Sequence, residues 1–260
     1  MSHFRDRKLT SDELAGATQF VRFTSARLLK DSSAVVKVGV CTRLAEAETM
    51  KFVRDRTSIP VPEVYNAYKD ESTGKVCIVM EYITGKRLDE AWADFTENEK
   101  ELVVQQLRRY FNELRQIEGD FVGSIDGSAC NDQFFSDTLD YGPYKNEQEF
   151  NKGLIKAWLK KGEDPFLLLL SKVQLSVMQG HDIVMTHNDF APRNILVRGA
   201  QVVAILDWEY SGFYPEHWEY CKALWRPNWQ SQWTKDNLVD RVLDPYLKEV
   251  AVIWNTSGLW

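Results

Sequence analysis

Short apolar runs broken by turn residues fill the first third of the chain, and apolar positions recur at helical spacing through its middle. Ala34-Val35-Val36-Lys37-Val38-Gly39-Val40 is valine-rich and reads as a strand with one lysine inside it. Residues 45–55 follow as a helix. Within it Glu46, Met50 and Val53 share a face at i, i+4 and i+7, so Glu46 is expected to point toward the core. Glu48 shares its side with Lys51 and Asp55 and is expected in solvent. Ile59-Pro60-Val61-Pro62-Glu63-Val64 is extended, because each proline disfavours helix at the residue before it. A hairpin of residues 63–68 and 75–81 is expected across Asp70-Glu71-Ser72-Thr73-Gly74, running on into residues 79–85.

The rest of the chain is mainly helical by pattern. Thr96 and Glu99 form a capping-box signature ahead of Leu102, Val103, Leu107, Tyr110, Phe111 and Leu114 at helical spacing. Residues 146–161 and 164–179 read as two more helices, and residues 119–144 between these segments are loop-like, rich in Gly, Asp and Ser. Trp225, Trp229 and Trp233 recur every four residues, but Pro227 argues against one uninterrupted helix. Core packing is the ordinary role of such a stripe, and an aromatic wall around an ammonium group is the sharper alternative. Residues 195–197 and 202–206 read as a hairpin. If Gly199-Ala200 is its loop, Asn194 lies opposite Ile205, two residues from Asp207.

That hairpin brings an amide oxygen and a carboxylate together just after Asp189. Oxygen donors in this arrangement suit Mg²⁺, which takes a few protein oxygens plus substrate phosphates. A further carboxylate is then free to orient a hydroxyl for attack on a phosphoryl group. Lys37 is costly to bury unless an anion pairs with it, and the inward-facing Glu46 is the expected partner.

The segments His187-Asn188-Asp189-Phe190-Ala191-Pro192-Arg193-Asn194 and Leu206-Asp207-Trp208-Glu209 resemble the aminoglycoside phosphotransferase and choline kinase branch of the protein-kinase-like superfamily. In particular they resemble its fungal phosphotransferase-family group, and the likeness runs from about residue 20 to residue 225. It implies an α+β, two-lobed fold: residues 1–83 as a β-rich N-lobe with one helix, residues 84–260 as a helical C-lobe. It also implies Mg²⁺ and ATP as cofactors, with the backbone of Glu81 and Ile83 on adenine, Lys37 and Glu46 at the phosphates, Asn194 and Asp207 on the metal, and Asp189 catalytic. His187 matches the family's structural histidine. Arg193 is open between contacting a phosphate and pairing with a carboxylate, and Glu209 between supporting the site and lying on the surface.

Departures from the family pattern bear on the substrate. No GxGxxG loop precedes Lys37; the corresponding turn falls at Thr24-Ser25-Ala26-Arg27 or Asp31-Ser32-Ser33. Trp208 follows Asp207 where protein kinases have Phe-Gly, and no long activation segment intervenes, which favours a small-molecule acceptor bearing a hydroxyl. Asn188 stands where many aminoglycoside enzymes have Gly and choline kinases have Asn.

The chain has 260 residues, 44% hydrophobic and 27% charged, near globular averages. Residues 1–83 carry 13 Lys+Arg against 11 Asp+Glu, and residues 84–260 carry 19 against 27. The first balance suits nucleotide phosphates and the second a cationic acceptor. No basic nucleic-acid footprint is present. The N-terminus lacks an apolar signal region, and the longest apolar run, residues 166–170, is too short for a bilayer, so no membrane partner is expected. Cys41, Cys77, Cys130 and Cys221 lack paired or metal-like spacing, which points to reduced thiols and a cytoplasmic protein. Two rivals stand beside a kinase: a kinase-like fold repurposed for a non-phosphorylating biosynthetic reaction, and a catalytically silent binding module.

Overall fold

The computed structural model describes residues 4–5, 7–19, 26–29, 34–135, 141–159, 164–225 and 227–256. A short helix, α1 (Ser11–Ala15), starts at a Thr10–Glu13 capping box. It precedes a five-stranded antiparallel sheet in the order β1-β2-β3-β5-β4. Its strands are β1 (Thr18–Gln19), β2 (Ala26–Leu28), β3 (Ala34–Gly39), β4 (Val64–Lys69) and β5 (Val76–Glu81), and α2 (Leu44–Arg56) links β3 to β4. The β4–β5 turn is tied by Asp70, whose carboxylate accepts from Ser72 N and Oγ, and Gly74 closes it at φ +68°. Ala34, Val36, Cys77 and Val79 pack with Phe4, Leu9, Leu29 and Tyr65 into a small core on one face of the sheet. Side chains alternate along a strand, so Lys37 of β3, between Val36 and Val38, leaves that core for the other face.

Residues 82–85 carry the chain out of the sheet to β6 (Lys86–Arg87) and α3 (Leu88–Ala91). Next comes α4 (Glu97–Arg115), opened by the expected capping box of Thr96 and Glu99. Its buried stripe is Val103, Val104, Leu107, Tyr110, Phe111 and Leu114, and Leu102 is 52% exposed. The expectation for Leu102 is thus corrected: at about 100° per residue it turns away from Leu107, and Val104 takes its place at i−3. α5 (Glu147–Leu159) and α6 (Pro165–Val177) fall within the expected helices, with Asp164 capping α6. Between α4 and α5 the described residues are largely loop, apart from isolated bridges at Glu118–Val184, Val122–Tyr144 and Gly123–Phe213 and a short turn at Gln133–Phe135.

The remaining strands form two small antiparallel sheets. β7 (Ile183–Thr186) pairs with β10 (Gly212–Pro215), while β8 (Ile195–Arg198) lies between β6 and β9 (Gln201–Ile205). Four helices follow: α7 (Trp218–Ala223), α8 (Gln232–Lys235), α9 (Leu238–Val242) and α10 (Leu247–Thr256). The stretch with Pro227 separates α7 from α8, so the tryptophan stripe is not one helix. Trp218 is buried, Trp225 and Trp233 lean on the core, and Trp229 and Trp254 are exposed, edge to face at 5.6 Å. Trp260 lies outside the described residues.

Met50 and Val53 of α2, with Ile59 and Val61, belong to the same core as α4, the two small sheets and α10. The structure is therefore an antiparallel-sheet N-lobe and a mainly helical C-lobe, packed along one seam. No helix among the described residues is long and apolar enough to cross a membrane.

Candidate active site

The β8–β9 hairpin closes at Gly199-Ala200 as expected, with Arg198 paired to Gln201 and Val197 to Val202. Val203 is then an extra residue, and pairing resumes at Leu196–Ala204 and Ile195–Ile205. This β-bulge corrects the expected register. Asn194 lies opposite Leu206, whose N–H donates to the Asn194 carbonyl at 2.8 Å, and only one step separates it from Asp207. Asp207 itself has φ 66° and ψ 62°, a left-handed conformation that Asp tolerates better than most residues. It turns the chain from β9 into the short helical turn Trp208–Tyr210.

Lys37, Glu46, Asp207 and Glu209 meet there. Lys37 Nζ donates to Glu46 Oε1 at 3.0 Å, to Asp207 Oδ1 at 2.9 Å and to Glu209 Oε2 at 2.9 Å. Glu46 is buried, whereas the Asp207 and Glu209 side chains remain partly open to solvent. Burial pushes the Glu46 carboxyl up to about 7, against the opposing pull of Lys37. Burial also opposes charge on Lys37, but the carboxylates of Glu46, Asp207 and Glu209 outweigh it and raise its pKa. Of the two places the sequence allows Glu209, the site and the surface, it takes the first, in the cluster with Lys37.

Asp189 anchors a second group on the loop between β7 and β8. Arg193 Nη2 donates to its two carboxylate oxygens at 2.6 and 2.8 Å, so Arg193 pairs with a carboxylate. Asn194 Nδ2 donates to Asp189 Oδ2 at 2.7 Å and to its carbonyl at 3.0 Å. With its nitrogen so held, the Asn194 amide presents its oxygen away from Asp189. His187 bridges the two groups: its Nε2 lies 3.0 Å from the Leu206 carbonyl, and its Nδ1 accepts from Asp189 N–H at 3.2 Å. Those contacts set its tautomer and tie the imidazole into the loop.

Two buried carboxylates hold this loop from behind. Glu219, in the first turn of α7, accepts from the backbone N–H of His187 at 2.6 Å and of Asn188 at 3.1 Å. Burial raises its pKa, and the two backbone bonds oppose that rise. Asp132 accepts from Asn188 Nδ2 at 2.8 Å, Trp218 Nε1 at 3.1 Å, Lys222 Nζ at 2.9 Å and Phe134 N–H at 2.9 Å. Neither residue stood out in the sequence. The one available signal was polarity in an apolar setting, Glu219 between Trp218 and Tyr220-Cys221.

Beside Asp189 opens a cavity of about 440 Å³, whose walls include Asp89, Arg193, Lys222, Trp225 and Trp233. Glu81 ends β5 with its N–H donated to the Glu63 carbonyl at 2.8 Å. Ile83 is half-buried in the link that follows. Of the two candidate phosphate turns, Ala26 and Arg27 lie in β2, and Thr24, Ser25 and residues 31–33 lie outside the described residues.

The sequence from residue 24 to 251 matches the family model described as the phosphotransferase enzyme family. No curated protein matches the chain by sequence. Solved structures of similar fold include the streptomycin–ATP–APH(2″)-IIa ternary complex, with 19% identity, TM-score 0.64, and coverage of 96% of this chain and 88% of that one. ADP-bound aminoglycoside phosphotransferase APH(2″)-Ib has 19% identity and TM-score 0.64, covering 93% and 83%. The GDP complex of aminoglycoside 2′-phosphotransferase-IIIa has 13% identity and TM-score 0.60, covering 100% and 87%. At these identities the likeness is one of fold.

Proposed function

This chain belongs to the phosphotransferase enzyme family, and from that premise we propose that it is a cytoplasmic small-molecule kinase that moves the γ-phosphoryl group of ATP to an alcohol. One observation carries the reading: a single ammonium, Lys37 Nζ, lies within 3.0 Å of carboxylates from α2 and from the turn after β9. We place the lobe boundary at residues 83/84, in the link between β5 and β6, where the backbone of Glu81 and Ile83 would receive the adenine.

In this reading Lys37 exchanges Asp207 and Glu209 for nucleotide phosphate, and Glu46 keeps its ammonium aimed. The two groups, Glu46, Asp207 and Glu209 around Lys37 and Asp189 beside Arg193, together hold four carboxylates against two cations, and they offer the hard oxygen donors that suit Mg²⁺. Asn194 and Asp207 would hold that ion, which when bound neutralises charge developing on the phosphate oxygens. Asp189 takes the proton of the acceptor hydroxyl as its oxygen bonds to the γ-phosphorus. The bond to the bridging oxygen breaks, and ADP leaves with the electron pair. Positioning and electrostatics supply most of the rate enhancement.

The acceptor would occupy the cavity beside Asp189. Its walls combine Asp89 and Asp189 with the rings of Trp225 and Trp233, and Lys222 there is paired with Asp132. Carboxylates with indole faces favour an amine-bearing alcohol, a class that includes amino-alcohols and aminoglycoside-like compounds.

Calorimetric titration of ATP with and without Mg²⁺, on the natural protein and on Asp207→Ala, tests the nucleotide site. Affinity is expected to rise with Mg²⁺ and to lose that gain in the variant. Absence of binding at millimolar ATP would turn the reading toward the repurposed fold.

A further inference from the structure

Outside the groups around Lys37 and Asp189, Glu147, His181 and His217 bring one ligand atom each within 4.8 Å of one another. Glu147 opens α5, His181 lies between α6 and β7, and His217 immediately precedes α7. His181 Nδ1 lies 2.6 Å from Glu147 Oε1, and His217 Nδ1 lies 3.8 Å from the same oxygen. His217 is fully buried, and neither of its ring nitrogens has a hydrogen-bond partner among the described residues. A buried imidazole with both nitrogens unpaired is costly, since each polar atom forfeits its water with nothing in exchange. That orphaned side chain, turned to a carboxylate and a second imidazole, is what a missing ligand would explain.

We propose that Glu147, His181 and His217 form a structural site for a divalent transition-metal ion, zinc being the best match. Two imidazoles and one carboxylate make a donor set that holds Zn²⁺, with one position left to water. Zinc at about 2.1 Å from each donor wants them roughly 3.4 Å apart, so the short His181–Glu147 contact opens slightly and His217 closes in. Behind His181, its Nε2 faces Glu249 Oε1 of α10 at 3.6 Å. A carboxylate on that side favours the tautomer that carries its proton on Nε2 and frees Nδ1 for the metal, a role that partners of metal-bound histidines ordinarily fill. The ion would fasten the starts of α5 and α7 to the strand β7, with α10 braced behind, and would add its binding free energy to folding.

The test is metal content and spectroscopy on the full chain. Protein purified with zinc and desalted against a weak chelator is expected to retain one equivalent by mass spectrometry. Cobalt substitution should give the visible absorption of a four-coordinate nitrogen–oxygen site. His217→Phe, which fills the volume, and Glu147→Gln, which keeps the shape, should each reduce retained metal to background while circular dichroism shows a folded chain. Asp207→Ala should retain the full equivalent, which separates this site from the one proposed for Mg²⁺. Background metal in the natural protein would overturn the proposal, as would a full equivalent in both ligand variants.

Discussion

Lys37 and Asp207 are 170 residues apart in the chain and 2.9 Å apart in space. That contact and the one to Glu209 tie the central strand of the N-lobe to the end of the C-lobe hairpin, with the buried Glu46 as the third anion. Removing the ammonium strands a carboxylate out of water. Lys37→Met is therefore expected to lower stability by about 3–5 kcal/mol at pH 8, the cost of breaking a buried pair from one side. Urea unfolding measures it, and the loss should shrink below pH 6 as Glu46 takes up a proton.

Glu46 also sets a pH dependence in the natural protein. Its carboxyl is raised from 4.5 to about 7, so between those values the folded state holds a proton that the unfolded state has released. Stability then falls as pH rises through that window and is flat with respect to this group above it. Unfolding midpoints measured every half pH unit should show the slope, and Glu46→Gln should flatten it. An unchanged slope in the variant would locate the titration elsewhere.

Asp189→Asn separates chemistry from binding. On the proposed mechanism this removes the proton acceptor and is expected to reduce kcat about 10²–10⁴-fold, with nucleotide affinity unchanged because Lys37, Glu46 and Asp207 are untouched. Single-turnover assays beside calorimetry give both numbers, and intact turnover would remove the role assigned to Asp189.

Asp132 neutralises Lys222 inside the C-lobe, where both side chains are almost wholly buried. Asp132→Ala should destabilise by about 3–5 kcal/mol, since the ammonium is left without its anion. Adding Lys222→Met should recover much of that loss, a coupling that thermal or urea unfolding of the double variant reads directly.

Gly212 begins β10 against the backbone of Gly123. A Cβ at this position would stand 2.4 Å from the Gly123 carbonyl oxygen, which a flexible side chain cannot relieve. Gly212→Ala is expected to cost about 1–3 kcal/mol through overpacking, detectable as a lower urea midpoint.

Much of this site could be read from the chain because its signals are local. The inward face of α2 picked Glu46 over Glu48 as partner for Lys37, and the structure places them at 3.0 Å. The hairpin loop was fixed by Gly199-Ala200, but its register was not, because the bulge at Val203 leaves no mark on the alternation of apolar residues. Leu102 departs from the pattern for a related reason: adjacent apolar residues on α4 leave the edge of the stripe undefined in the sequence, and burial selects Val104. Asp132 and Glu219 are invisible in the sequence because all their partners but the Phe134 N–H lie 31 to 90 positions away and Asp132 sits in a segment without periodicity.

The bonds from His187 and Asn188 to Glu219 make the loop of Asp189 a suspended structure, hung from α7 more than propped by the strand that delivers it. α7 in turn packs against α10 near the chain's end. Loosening that C-terminal layer would let the loop sag while the N-lobe sheet stayed intact, so on the proposed reading partial opening there would cost activity before global unfolding.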